Sequence, residues 1–167
     1  MKKKCVVSVI IPTYKRVEKL KRAIDSVLNQ TFRNWEIIVI DNHSNDGTKE
    51  LILSYNNPKI KILLIKNKGN IAKSRNLGIK KSKGKYLALL DSDDLWTPNK
   101  LKACIKTLSK ETKIVYHDMY TQNNVNQIIF RKSGMCRDLK KPIYNDLILN
   151  GPAFPTSSVV VEKNVFK

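Results

Sequence analysis

The 167-residue chain predicts an α/β fold, a mostly parallel sheet flanked by helices. Three observations carry that prediction. Val6-Val-Ser-Val-Ile-Ile11 is an apolar run that stops abruptly at Pro12-Thr13-Tyr14, the pattern of a buried strand entering a loop. Trp35-Glu-Ile-Ile-Val-Ile40 repeats the scheme and ends in Asp41-Asn-His-Ser-Asn-Asp-Gly-Thr48, and between the two runs Val17, Leu20, Ala23, Ile24, Val27 and Leu28 recur at helical spacing. A strand, a helix and a strand in this order join parallel strands by a right-handed crossover. Tyr86-Leu-Ala-Leu-Leu90 is the third such run, and it breaks into Asp91, Asp93 and Asp94. Open parallel sheets bind ligands beyond the carboxyl ends of their strands, so the polar loops after Ile11, Ile40 and Leu90 should meet at one edge.

The remaining elements follow from the same reading. A short helix is expected over 48–54, a strand over 60–65, and a helix over 70–81 that carries Arg75. Beyond the acidic run, Thr97 and Pro98 look like the start of a helix over 98–108, because proline suits the first helical position. A strand over 114–116, a hairpin strand over 127–131, a helix over 144–149 and a final strand over 157–161 complete the order. No low-complexity linker or internal repeat divides the chain, and its length suits one domain with a substantial core.

The acidic run carries the first chemical inference. Residues i and i+2 of an extended segment point the same way, so Asp91 and Asp93 can converge on one cation while Asp94 turns aside. Carboxylate oxygens suit Mg²⁺ or Mn²⁺, which commonly sit between one or two protein carboxylates and the phosphates of a substrate. A solvated acidic turn that caps the following helix accounts for the same residues, and the spacing alone does not separate the two.

Val-Ser-Val-Ile-Ile-Pro-Thr-Tyr at 7–14, Asn-Gln-Thr-Phe at 29–32, Ile-Val-Ile-Asp-Asn-His-Ser-Asn-Asp-Gly-Thr at 38–48, Ser-Arg-Asn-Leu-Gly at 74–78 and Asp-Ser-Asp-Asp at 91–94 stand in this order along the chain. Together they resemble the family 2 glycosyltransferases of GT-A fold. The resemblance runs from about residue 6 to about residue 167 and is weakest between 120 and 150. It implies a Rossmann-like GT-A sheet and transfer of a sugar, with inversion, from a nucleotide diphosphate sugar to a saccharide or lipid-linked acceptor. A UDP-sugar is the expected donor, and surface polysaccharide or glycan synthesis the expected setting.

The resemblance also implies roles for matching positions. Pro12, Thr13 and Tyr14 would lie against the nucleoside base, with the tyrosine ring as a stacking surface. Asp41 and Asn42 occupy the place of an acidic pair that binds base and ribose. Asparagine at the second position is a departure, although an amide oxygen still accepts a hydrogen bond from a uracil N–H. Arg75 would address phosphate or base. Asp91 would contact ribose or metal, Asp93 would ligate Mn²⁺ or Mg²⁺ directly, and Ser92 would approach the nucleotide through its backbone. Asp94 would stand behind the metal ligands or act as a cap. The family's general base lies in a later acidic motif that has no match here, so the catalytic base is unassigned. Asp118, Asp138, Asp146 and Glu162 lie in the right half of the chain but not in that context. The expectation is a single GT-A domain over 1–167, cut short before the base motif and therefore poorly active or inactive alone.

Charge and cysteine usage bound the rest. A formal net charge of +18 suits peripheral contact with an anionic membrane surface, and a lysine-rich composition with solvated faces explains it equally well. No segment approaches the apolar length of a membrane span, and the N-terminus lacks a secretory hydrophobic region. Cys5, Cys104 and Cys136 form no metal-like or redox pair and fit a reducing cytosol, with Cys5 and Cys104 expected to be buried. The expected place is cytoplasmic, peripheral at the inner face of the membrane. His43 reads as an exposed loop residue, and His117 beside Asp118 as structural. A basic nucleic-acid-binding module is the competing class, supported by the charge and by Tyr116 and Tyr120 as stacking residues. The acidic triplet would repel phosphate at the binding edge unless a metal intervened, so no nucleic-acid partner is expected. No Gly-x-Gly-x-x-Gly follows the first strand, which argues against a dinucleotide oxidoreductase.

Overall fold

The computed structural model describes residues 5–122, 130–134 and 136–166. The chain order is β1 (Val7–Thr13), α1 (Val17–Leu28), β2 (Trp35–Asp41), α2 (Thr48–Ser54), β3 (Ile60–Leu64), α3 (Ile71–Lys81), β4 (Tyr86–Leu89) and α4 (Lys100–Thr107). Then come β5 (Ile114–Val115), β6 (Met119–Gln122), β7 (Phe130–Gly134), α5 (Ile143–Asn150), a 3₁₀ turn (Thr156–Ser158), β8 (Val160–Glu162) and a second 3₁₀ turn (Lys163–Phe166).

Six strands form one sheet in the order β3-β2-β1-β4-β8-β5, and β6 pairs with β7 apart from it. The first four run parallel, so β1, β2 and β4 deliver their carboxyl ends to one edge. β8 enters antiparallel between β4 and β5. Alternation along β1 divides the core. Val7, Val9 and Ile11 face the layer of Leu20, Ala23, Ile24 and Val27 from α1 and Leu101 and Cys104 from α4, while Ile10 joins Ile38, Ile40, Leu87 and Leu77 on the other face. Both faces are covered, which is why these strands read as unbroken apolar runs.

Three expectations shift. The helix expected from residue 98 begins at Lys100. The carbonyls of Thr97 and Pro98 are engaged elsewhere: Gln30 Nε2 donates to Thr97 O at 2.7 Å, and the Thr31 amide donates to Pro98 O at 2.9 Å. The strand expected over 157–161 starts only at Val160, because residues 156–158 turn as a 3₁₀ segment whose Ser158 hydroxyl donates back to Pro155 O at 2.7 Å. Of the hairpin strand expected over 127–131, residues 127–129 lie outside the described residues; Phe130–Gly134 forms β7 against β6.

Candidate active site

The carboxyl edge of the sheet is built from the loops that follow β1, β2 and β4. Hydrogen bonds between the loops fix their relation. The Asn42 amide donates to Thr13 O at 3.1 Å, and the Lys15 amide donates to the Ser44 hydroxyl at 2.8 Å, with Lys15 itself in the left-handed region. Asp46 joins the same two loops. It accepts the Val17 amide at 3.0 Å, so it caps α1 from outside, and also the Thr48 hydroxyl at 2.7 Å. Burial pulls its carboxyl upward, but these hydrogen bonds outweigh it and hold the pKa below the usual aspartate value.

In the first loop, Pro12 and Thr13 are the buried last residues of β1, and only Tyr14 turns its ring to solvent, 49% exposed. In the second loop Asp41 is buried, and its two oxygens accept the Ser44 hydroxyl at 2.5 Å and the Ser44 amide at 3.0 Å. Asn42 Oδ1 accepts the Asn67 amide at 2.9 Å, which brings the loop after β3 to the same edge. Asn67 in turn donates from its side chain to Ser74 on α3, at 2.8 Å. His43 is exposed, as its loop position suggested, and its backbone takes a left-handed conformation.

The third loop holds the acids. Arg75 Nη2, carried by α3, meets Asp91 Oδ1 at 2.7 Å. Ser92 is buried and Asp93 is exposed. Asp94 does not cap α4; its Oδ2 accepts the Ser157 hydroxyl at 2.5 Å. That same hydroxyl accepts the Asp91 amide at 2.9 Å, and Trp96 Nε1 donates to Ser157 O at 2.8 Å. Ser157 therefore clamps the acidic loop from the turn before β8.

Two partners were missed by sequence reasoning. Ser157 lies 66 residues from Asp91, and no local pattern marks it. Arg16 Nη1 meets Asp93 Oδ2 at 2.6 Å, from the loop after β1. No local pattern marks this pair either, because the parallel pairing of β1 with β4 that brings the two loops together belongs to the tertiary structure.

The donor set suits a hard divalent cation. Asp94 has a raised pKa, first through burial and then through the negative field of Asp91 and Asp93, against the lowering effect of the Ser157 hydrogen bond. A cation on Asp91 and Asp93 would relieve the negative field they place on Asp94. Among the described residues no group of three or more His, Cys, Asp or Glu side chains is placed to hold a metal ion. Hard divalent cations are commonly held by one or two carboxylates together with phosphate and water, and Asp91 and Asp93 are the carboxylates that would do so here.

The right-half carboxylates are otherwise engaged or misplaced as bases. The Asp118 carboxylate accepts the Cys136 amide at 2.7 Å. Asp146 is buried against Arg137, and Asp138 is exposed. Glu162 pairs with Lys113 and stands opposite Tyr86, at the far edge of the sheet. Cys104 is buried as expected, whereas Cys5 and Cys136 are only partly so. His117 Nδ1 lies 2.8 Å from Asp118 O, in keeping with a structural role.

A family model described as Glycosyl transferase family 2 matches residues 8–165. The chain is 34% identical over 145 residues to the UDP-Glc:alpha-D-GlcNAc-diphosphoundecaprenol beta-1,3-glucosyltransferase WfgD of Escherichia coli, covering 87% of this chain and 56% of WfgD. The chain thus spans about half the length of that relative. Among solved structures, TarS 1-349 of S. aureus in complex with UDP-GlcNAc superposes with TM-score 0.72 at 23% identity, covering 96% of this chain and 46% of that one. The mannosyltransferase PcManGT of Pyrobaculum calidifontis, in complex with GDP-Man and Mn2+, gives TM-score 0.66 at 19% identity, covering 99% and 46%. At these identities the two structures establish the shared GT-A fold.

Proposed function

The chain belongs to glycosyl transferase family 2, and from that premise we propose that its carboxyl edge binds a nucleotide diphosphate sugar, with a UDP-sugar as donor. The sugar passes with inversion to a saccharide or lipid-linked acceptor in surface glycan synthesis. One observation carries this reading: parallel β1, β2 and β4 bring Tyr14, Asn42, Arg75, Asp91 and Asp93 to one edge. Relatives point the same way, since WfgD is named for a UDP-Glc donor and a diphosphoundecaprenol acceptor, and TarS was solved with UDP-GlcNAc.

In this proposal the exposed Tyr14 ring stacks on the base. Asn42 keeps its Asn67 bond and offers its second acceptor lone pair to a uracil N–H. Asp41 acts mainly through Ser44, shaping the loop around the base rather than meeting it with a free oxygen. Pro12 and Thr13 form the floor of that loop. Asp91 and Asp93 are the residues that would hold Mn²⁺ or Mg²⁺, which would supply electrostatic stabilisation to a departing diphosphate. Ser92, buried between them, offers backbone to the nucleotide, and Arg75 adds a fixed positive charge on the phosphate side. No described carboxylate stands in place as the general base, and none is assigned.

The enzyme is proposed to work in the cytoplasm with peripheral attachment to an anionic membrane surface. Among the described residues no helix is long and apolar enough to cross a membrane.

Calorimetric titration of UDP in Mn²⁺, Mg²⁺ or chelator, on the wild-type chain and on Asp93→Ala, tests the donor site. Metal-dependent binding that the substitution abolishes is the expected result. Metal-independent binding unaffected by Asp93→Ala would remove the cation from the proposal, and binding of no nucleotide would remove the function itself.

A further inference from the structure

Each candidate metal carboxylate is met by one arginine nitrogen, and the two arginines come from different elements. Arg75 reaches Asp91 from α3, and Arg16 reaches Asp93 from the loop after β1. The Arg16 contact is made through a single nitrogen at 2.6 Å, which among the described residues leaves the rest of the guanidinium fork uncommitted. Its side chain is 50% exposed and that of Asp93 39%, so the pair is solvated and its exchange costs little. The backbone around Arg16 is fixed all the same. Lys15 donates its amide to Ser44, and Val17 donates its amide to Asp46, so the guanidinium swings from an anchored base.

We propose that Arg16 is a diphosphate-positioning residue that guards Asp93 until the donor arrives. Without metal and nucleotide, Arg16 neutralises Asp93 and limits the repulsion that Asp91 and Asp93 exert on Asp94. When the cation engages Asp93, the guanidinium is released within reach of the same edge. Its fork matches the paired oxygens of a diphosphate, which a lysine at this position would not reproduce. The site thereby keeps its negative and positive groups paired in both states. This inference rests on the proposed donor site, and its test separates the two.

Mn²⁺ affinity is measured by electron paramagnetic resonance without nucleotide, on wild type, Arg16→Gln and Arg16→Lys, with circular dichroism confirming that each folds. UDP and uridine are then titrated calorimetrically in saturating Mn²⁺. Removal of the competing cation should raise Mn²⁺ affinity about two- to fivefold in Arg16→Gln. UDP affinity should fall about tenfold in Arg16→Gln and partly recover in Arg16→Lys, while uridine affinity stays constant. Equal Mn²⁺ and UDP affinities in wild type and Arg16→Gln, with UDP still bound, overturn the role of Arg16 and leave the donor site standing. A wild-type chain that binds no UDP with Mn²⁺ overturns the donor site and this inference together.

Discussion

At the scale of single residues, the clearest anomaly is Lys100. Its Nζ is buried without a hydrogen-bond partner, 3.7 Å from the centroid of the Trp96 ring. Cys104 on the same helix and His117 beyond β5 are the titratable groups that share its field. Burial pushes the ammonium down to about 7. An unfolded lysine titrates near 10.4. Between those values the unfolded chain binds more protons than the folded one, so stability rises with pH and the slope vanishes below the folded pKa. Urea denaturation from about pH 7 to about pH 9 should show wild type gaining up to ~1.4 kcal/mol per pH unit relative to Lys100→Met. The substituted protein should be the more stable at pH 7, and parallel pH profiles would show that Lys100 keeps its proton. Trp96 also donates to Ser157, so the aromatic under Lys100 is part of the support of the acidic loop.

At the scale of elements, the amino edge of the sheet is pinned by a polar network opposite the proposed donor site. Glu36 on β2 accepts the Ser8 hydroxyl from β1 at 2.7 Å, the Lys83 amide before β4 at 2.7 Å and Lys61 from β3 at 2.8 Å. Burial alone would raise its pKa, and the hydrogen bonds from Lys61, Ser8 and Lys83 reverse that and hold it low. Ser8 Oγ also accepts the Gly84 amide at 2.8 Å, so the turn into β4 presses on β1. A Cβ at Gly84 would lie 2.5 Å from the Ser8 backbone nitrogen and 2.8 Å from the Val7 carbonyl carbon. Neither atom can yield without moving the strand. Gly84→Ala should therefore destabilise by about 1–3 kcal/mol, read from the midpoint of chemical denaturation, and an unchanged midpoint would contradict the close packing. The strand and helix runs of this half were legible because each repeats its own period. The late start of α4 and the 3₁₀ turn before β8 were not, since carbonyls and hydroxyls there are committed to residues far along the chain.

At the scale of the whole molecule, the net charge of +18 sets long-range behaviour more than fold. Binding to vesicles containing phosphatidylglycerol should be clear at about 0.1 M salt and lost near 1 M, where screening shortens the Debye length to roughly 3 Å. Equal sedimentation with purely zwitterionic vesicles would show that charge is not the cause. The sequence by itself determined the order of elements as far as β5, the apolar strands and the polar loops at their carboxyl ends, because hydrophobic periodicity is a local property of the chain, while β6 at Met119–Gln122 had no counterpart in it. It also set the loops after Ile11, Ile40 and Leu90 at one edge, through the rule that parallel strands gather their loops, while Arg75 entered only through the resemblance to family 2 glycosyltransferases. Only the tertiary structure decided that β8 runs antiparallel beside β4, that Asn67 holds Asn42, that Ser157 clamps the acidic loop and that Arg16 meets Asp93. Arg16 and Asp93 are 77 residues apart, and Ser157 and Asp94 are 63. A periodic pattern states which face a residue occupies, but which distant partner it meets depends on how the packed elements bring those faces together.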